Sequence, residues 1–257
     1  MKPDFGATAH HYGTYRVGFP DSFFDRLTRI GVLEEGKRVL DLGTGTGSLA
    51  RGFATRGCRA VGIDPAAPML DQARALDAEA GVEVEYKLAK AEDAGFEDAS
   101  FDLVSAGQCW HWFDRAKAAL EAARVLRPDG ALLIAHLDWI PLSGNLVEAT
   151  EKLIEGHNPD WKVSGGMGLH PWWLRGLRES AFRGIETFSY DIEVPYSPEA
   201  WRGRLHACAG IGASLSEAKV GAFDIDLERL LAERFPGAVL QVPHCVFAII
   251  ARAPAPT

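Results

Sequence analysis

Val39-Leu40-Asp41-Leu42-Gly43-Thr44-Gly45-Thr46-Gly47 is the stretch whose reading decides the fold. Val39, Leu40 and Leu42 read as an apolar strand, three glycines follow at alternate positions, and Ser48 to Thr55 read as a helix. Glycine has no Cβ, so the backbone there can turn tightly and approach a ligand closely. A strand, a glycine turn and a helix N-terminus in that order make a cofactor cradle. Two acids set its preference. Asp41 stands at the strand end, where a carboxylate suits a cationic group and repels a pyrophosphate. The glycine register is G-x-G-x-G with Ser48 in the sixth position, not the G-x-G-x-x-G/A of a dinucleotide site. A second apolar strand, Cys58 to Ile63, ends at Asp64, 21 residues after Gly43. A carboxylate at that place can accept hydrogen bonds from ribose hydroxyls.

An acid for an amine, glycines for close approach and an acid for a ribose together describe S-adenosylmethionine (SAM), whose demethylated product is S-adenosylhomocysteine (SAH). These residues resemble the cofactor motif of the class I SAM-dependent methyltransferases. Ser100-Phe101-Asp102-Leu103-Val104 is similar to the family's fourth strand, and Arg124-Val125-Leu126-Arg127-Pro128-Asp129-Gly130 to its R-V-L-K-P-G-G turn before the fifth. Asp129 stands where the family often has glycine, and Lys90 where many relatives carry an acid near the adenine. Cys109-Trp110-His111-Trp112-Phe113-Asp114 and the Tyr196 to Leu205 segment resemble the trans-aconitate methyltransferase-like branch of the methyltransferase type 11 family, whose named members esterify small carboxylic acids.

The resemblance implies a Rossmann-like, seven-stranded, mostly parallel sheet with helices on both faces, a helical insertion after the fifth strand, and an antiparallel last strand. It implies cofactor contacts from Asp41, Gly43, Thr44, Gly45, Gly47, Asp64, Pro65, Met69 and Gln108, with Ala91 and Glu92 at the adenine edge. His10-His11-Tyr12 and Tyr15-Arg16 resemble an N-terminal element that folds over the cofactor. Arg16 then either pairs with the methionine carboxylate or is a solvated surface arginine. Trp110, Trp112, His136 and Trp139 are expected on the acceptor side, and His111 as the catalytic group. His111 is either a general base or a hydrogen-bond donor that orients the acceptor, or else packing that supports its loop. Trp110 and Trp112 alternate, so one faces the pocket and the other packs beneath it.

Composition narrows the classes. The 257 residues allow one large α/β domain over the whole chain, with helical cap elements near 1–30, 144–182 and 198–235. The net charge of −8, with no Lys/Arg cluster, argues against a nucleic-acid partner. Cys58, Cys109, Cys208 and Cys245 form no C-x-x-C pair, which suits a reducing compartment and argues against a zinc site. No apolar run reaches the roughly 20 residues that span a bilayer, and no secretory signal is legible. A cytoplasmic monomer or homodimer acting on a small molecule is expected.

Alternation predicts strands near 38–42, 59–63, 83–88, 102–106 and 130–137, with helices near 47–56, 67–79 and 115–126. Beyond them a strand near 185–195, helices near 198–214 and 217–235 and a buried strand at 245–251 are expected. The chemistry then points to methyl transfer onto a carboxylate or another oxygen. Three alternatives stay open: nitrogen or carbon as acceptor, a SAM-binding protein that transfers no methyl group, and a nicotinamide oxidoreductase.

Overall fold

Seven strands, β1 (Arg38–Leu42), β2 (Arg59–Asp64), β3 (Glu85–Leu88), β4 (Phe101–Gly107), β5 (Leu126–Trp139), β6 (Arg183–Tyr196) and β7 (Leu240–Arg252), form one sheet. Their order is β3-β2-β1-β4-β5-β7-β6. The structure, a computed structural model, describes residues 15–253. Eight α-helices are found among them: α1 (Asp21–Arg29), α2 (Ser48–Ala54), α3 (Ala67–Ala80), α4 (Arg115–Val125), α5 (Leu146–His157), α6 (Trp173–Glu179), α7 (Pro198–His206) and α8 (Glu217–Arg234). None is long and apolar enough to cross a membrane. The His10-His11-Tyr12 part of the expected N-terminal cap lies outside the described residues.

The pairs β1–β2, β1–β4, β2–β3 and β4–β5 are parallel. Val39, Leu40, Asp41 and Leu42 are all buried, the near-continuous burial of a central parallel strand. Parallel neighbours need crossover connections, and α2, α3 and α4 lie in them. The fifth and seventh strands run the other way to each other. Ala253 N donates to Gly130 O and Ile140 N donates to Pro243 O, both at 2.9 Å, so one partner's number falls as the other's rises. The strand order reverses direction at β1 and β4, and in open α/β sheets ligands bind beyond the strand ends at such a switch point.

Three expected boundaries change, and the simplest is that the last strand, expected over 245–251, runs Leu240–Arg252. The Arg127 to Gly130 turn is a bulge inside β5: Phe101 pairs with Leu126, but Leu103 pairs with Ala131. Turn chemistry persists there, because Asp129 has φ +64°, and Arg127 pairs with Asp102 at 2.6 Å. The helix expected over 198–214 stops at His206. Gly210 and Gly212 follow, and Gly212 sits so close to the His206 carbonyl that a side chain would not fit.

The chain forms two compact units. Among the described residues, one comprises 18–137, 170–189 and 246–253, the other 15–17, 138–169 and 190–245. The first is built on Leu40, Leu42, Phe53, Ile63, Phe101 and Ile134, all fully buried. The second is built on Val147, Ile154, Trp201, Leu205, Phe223 and Leu227.

Candidate active site

The cradle belongs to the first unit. Asp41 is 2 % exposed. Its Oδ1 accepts from Ser105 Oγ and its Oδ2 from Thr44 Oγ1, both at 2.6 Å. Ser105 reaches it because the β1–β4 register pairs Asp41 with Ser105. Burial pushes the Asp41 carboxyl up to about 6, against the pull of those two hydroxyls. The turn that follows uses left-handed backbone at Gly43, Gly45 and Gly47, with φ of +59°, +56° and +78°. It is tied to the end of β2 from both sides. Thr44 N donates to Ile63 O at 2.9 Å, and Gly45 N donates to Asp64 Oδ2 at 3.0 Å. Asp64 Oδ1 accepts from Ala66 N at 2.8 Å, and burial raises its carboxyl above the ordinary range.

Glycine is required here by protein neighbours as well as by backbone angle. A Cβ on Gly43 would lie 2.9 Å from Phe113 Cζ and 3.1 Å from Cys109 Sγ. One on Gly47 would collide with the Tyr86 hydroxyl. Met69 is buried and its Cε is the atom nearest the Cβ direction of Gly45, whereas Pro65 is exposed.

A support beneath the turn was not legible from sequence motifs. Arg51 Nε forms an ion pair with Asp77 Oδ1 at 2.8 Å. Arg51 Nη2 donates to Thr46 O at 2.7 Å and to Ala73 O at 3.4 Å. Burial, and then the Asp77 carboxylate beside it, raises the Tyr86 hydroxyl well above the ordinary range. The signal was present on α3: Met69, Ala73 and Asp77 are spaced by four, so an acid shares the buried face of that helix. Buried acids are almost always paired.

The second wall comes from the segment after β4. Gln108 holds a left-handed backbone at φ +64°, uncommon for a residue with a Cβ. Its N donates to Ala135 O at 2.9 Å and its side-chain Nε2 to Leu137 O at 2.5 Å. Cys109 Sγ lies 3.1 Å from Leu42 O. Trp110 to Trp112 then make one 3-10 turn. Trp110 is 1 % exposed and packs edge-on against Phe113 at 5.9 Å. Trp112 is 48 % exposed. His111 is exposed, its ring 4.6 Å from that of Trp112 and 5.5 Å from that of His136. His136 is buried in β5, one step beyond the Gly107–Ala135 pair.

Ala91 is buried. Glu92 Oε1 accepts from Asp114 N at 2.8 Å, which fastens the segment after β3 to the loop after β4. The first unit thus gathers every expected site residue from Asp41 to His136. Trp139, Tyr15 and Arg16 belong to the other unit. There Trp139 Nε1 donates to Glu151 Oε1 at 2.8 Å, and the Arg204 guanidinium lies over its ring at 4.9 Å. Tyr15 packs its ring on Gly203, and the Arg16 charge acts on Tyr196 and His244.

Comparison with known proteins agrees with this geometry. Residues 40–134 match the family described as "Methyltransferase domain". The chain is similar to an uncharacterised methyltransferase of Mycobacterium tuberculosis strain H37Rv, at 36% identity over 153 residues, 57% of this chain and 60% of that protein. The match thus spans well under two thirds of that relative's length. It is also 29% identical over 201 residues to the 27-O-demethylrifamycin SV methyltransferase of Amycolatopsis mediterranei, covering 66% of this chain and 74% of that one. The fold resembles that of Haemonchus contortus phosphoethanolamine N-methyltransferase 2 in complex with S-adenosyl-L-methionine, with a TM-score of 0.57 and 21% identity, over 97% of this chain and 56% of that one. Residues 40–134, which hold the buried acids and the glycine turn, thus match a methyltransferase model, and they lie on a Rossmann-like fold.

Proposed function

We propose that the protein is a SAM-dependent methyltransferase whose acceptor is a small molecule methylated at oxygen, foremost a carboxylate. The observation that carries this reading is the left-handed three-glycine turn held between two buried carboxylates, Asp41 and Asp64, at the switch point of the sheet. In this reading Asp41 faces the methionine amino group through water, since its own oxygens already accept from Ser105 and Thr44. Asp64 accepts from the ribose hydroxyls with the lone pairs left by Gly45 and Ala66. Ala91 and Glu92 edge the adenine, Met69 and Pro65 flank the cofactor, and Gln108 closes the floor.

Bound in this cradle, SAM supplies a methyl group on a sulfonium, a carbon open to in-line displacement. The residues of the cradle would orient an acceptor oxygen toward that carbon and exclude water, a positioning effect that can supply roughly 7–11 kcal/mol of barrier reduction. A carboxylate acceptor is ionised at neutral pH and needs no base, which leaves His111 to orient it. The 27-O position in the Amycolatopsis relative's name favours oxygen as the acceptor atom. We place the enzyme in the cytoplasm as a single catalytic domain, monomer or homodimer. The test is incubation with methyl-labelled SAM and a size-fractionated cell extract, followed by mild alkali. Small-molecule label released as methanol is expected. Alkali-stable label would move the acceptor atom to ether oxygen, nitrogen or carbon, and SAM binding without any labelled product would remove methyl transfer.

A further inference from the structure

Four positions stand side by side across the sheet of the first unit: Ser105 on β4, Asp41 on β1, Gly62 on β2 and Tyr86 on β3. Ser105 and Asp41 are joined by a hydrogen bond of 2.6 Å. The third place holds no side chain. A Cβ on Gly62 would lie 2.7 Å from Tyr86 Cε1 and 2.8 Å from Thr44 Oγ1. Gly62 sits in the middle of β2. A glycine inside a strand often marks a close approach by another group, and here the approaching groups are a tyrosine ring and a turn residue.

The gap lets the Tyr86 ring lean across β2 toward the glycine turn. Its hydroxyl is the nearest atom to the Cβ direction of Gly47, the residue that caps α2. That oxygen is shut off from solvent. On the outer side the Arg74 guanidinium stands 5.8 Å from the ring centroid. The polar group beside the hydroxyl is the Asp77 carboxylate. Buried tyrosine hydroxyls usually find a hydrogen-bond partner. Asp77 Oδ1 also pairs with Arg51 Nε, and Arg51 reaches Thr46 O at 2.7 Å. One hydroxyl therefore stands against Gly47 and beside the acid that holds Thr46 through Arg51.

We infer that Tyr86 is a positioning residue of the cofactor cradle: through the gap at Gly62 its hydroxyl backs Gly47 and steadies Asp77, and so fixes the turn in the form that takes SAM. The inference rests on the reading of that turn as a SAM cradle. Tyr86 touches no reacting atom. The Arg51–Asp77 pair supports the turn at the Thr46 carbonyl, and Tyr86 adds support at Gly47 from the third strand.

The test compares the full chain with two variants. Tyr86→Phe keeps the ring and removes only the hydroxyl, and Gly62→Ala presses on both the ring and Thr44. SAH affinity is read by calorimetry, and the amide resonances of Gly31, Gly36, Gly45 and Gly47 by NMR. Tyr86→Phe is expected to weaken SAH at least fivefold. It should shift the Gly45 and Gly47 amides and leave those of Gly31 and Gly36, before β1, in place. A general loosening of the fold would not sort the glycines in this way. Gly62→Ala should also weaken SAH at least fivefold; if it fails to fold, Tyr86→Phe decides alone. Tyr86→Phe combined with Asp77→Asn should bind SAH no more than twofold worse than the weaker single variant, because the two act along one path. SAH affinity within twofold of the parent in Tyr86→Phe, unmoved Gly45 and Gly47 amides, or losses that simply add overturn the inference. The parent protein separates the two readings. No SAH binding by the parent sinks the cradle, whereas SAH binding that Tyr86→Phe leaves intact sinks the positioning role alone.

Discussion

Asp64 is assigned two jobs. Its oxygens accept from Gly45 N and Ala66 N, which shape the turn, and in the proposed reading the same carboxylate meets a ribose. Asp64→Ala should weaken SAM binding by about 1.5–3 kcal/mol, the range for hydrogen bonds to a charged group. Unchanged affinity by calorimetry would take Asp64 out of the site. Asp41 gives a pH signature. Its folded-state pKa of about 6 lies above the ordinary 3.8, so the folded state holds this proton more tightly than the unfolded one. Protonated Asp41 therefore contributes stability that is fully present below pH ~3.8 and lost as pH rises through ~6, about 3 kcal/mol at 1.36 kcal/mol per pKa unit. Asp41→Asn should gain stability relative to the parent by that order between pH 4 and 7 in urea titrations. A pH-independent difference between the two would show that Asp41 is ordinary. Asp41, Asp64 and the glycines were legible because strand, turn and acid follow one another locally. The Arg51–Asp77 support was not, because its two partners come from different helices.

Elements carry the turn. Gly47 caps the start of α2, and the Arg51–Asp77 pair joins α2 to α3 under Thr46. Removing one partner of a buried pair leaves the other charge unsatisfied, at a cost of roughly 3–5 kcal/mol. Asp77→Ala should lose about that much, at the lower end because Arg51 retains some solvent, and should loosen SAM binding through Thr46. Asp77→Leu with Arg51→Met should cost clearly less than the single change. A single-variant loss under 1 kcal/mol in urea would mean that the pair does not hold the turn. Most strands lie within a few residues of where alternation puts them, because parallel strands buried on both faces read as apolar runs. The misread elements have local causes. The β5 bulge hides in a sequence with good turn residues, and α7 ends early because Gly210 and Gly212 follow it in a segment that otherwise looks helical.

At the scale of the molecule, each unit is assembled from segments far apart in sequence. No linker or shift in composition announces them. Charge, in contrast, is fully legible. A net charge of −8 gives no counterion-release drive toward phosphate backbones. Gel-shift titration in 50 mM salt should show no binding to duplex DNA or structured RNA at micromolar protein. A shift that weakens steeply with salt would reopen a nucleic-acid acceptor. Gln108 carries a further consequence. Its left-handed backbone favours glycine, while its side chain ties the loop to Leu137. Gln108→Gly should relieve about 1 kcal/mol of backbone strain, and SAM-dependent turnover should fall as the tie is lost. A variant with raised melting temperature and full turnover would contradict this. If the trade holds, selection for heat resistance alone would drive this position toward an enzyme that survives longer and works less.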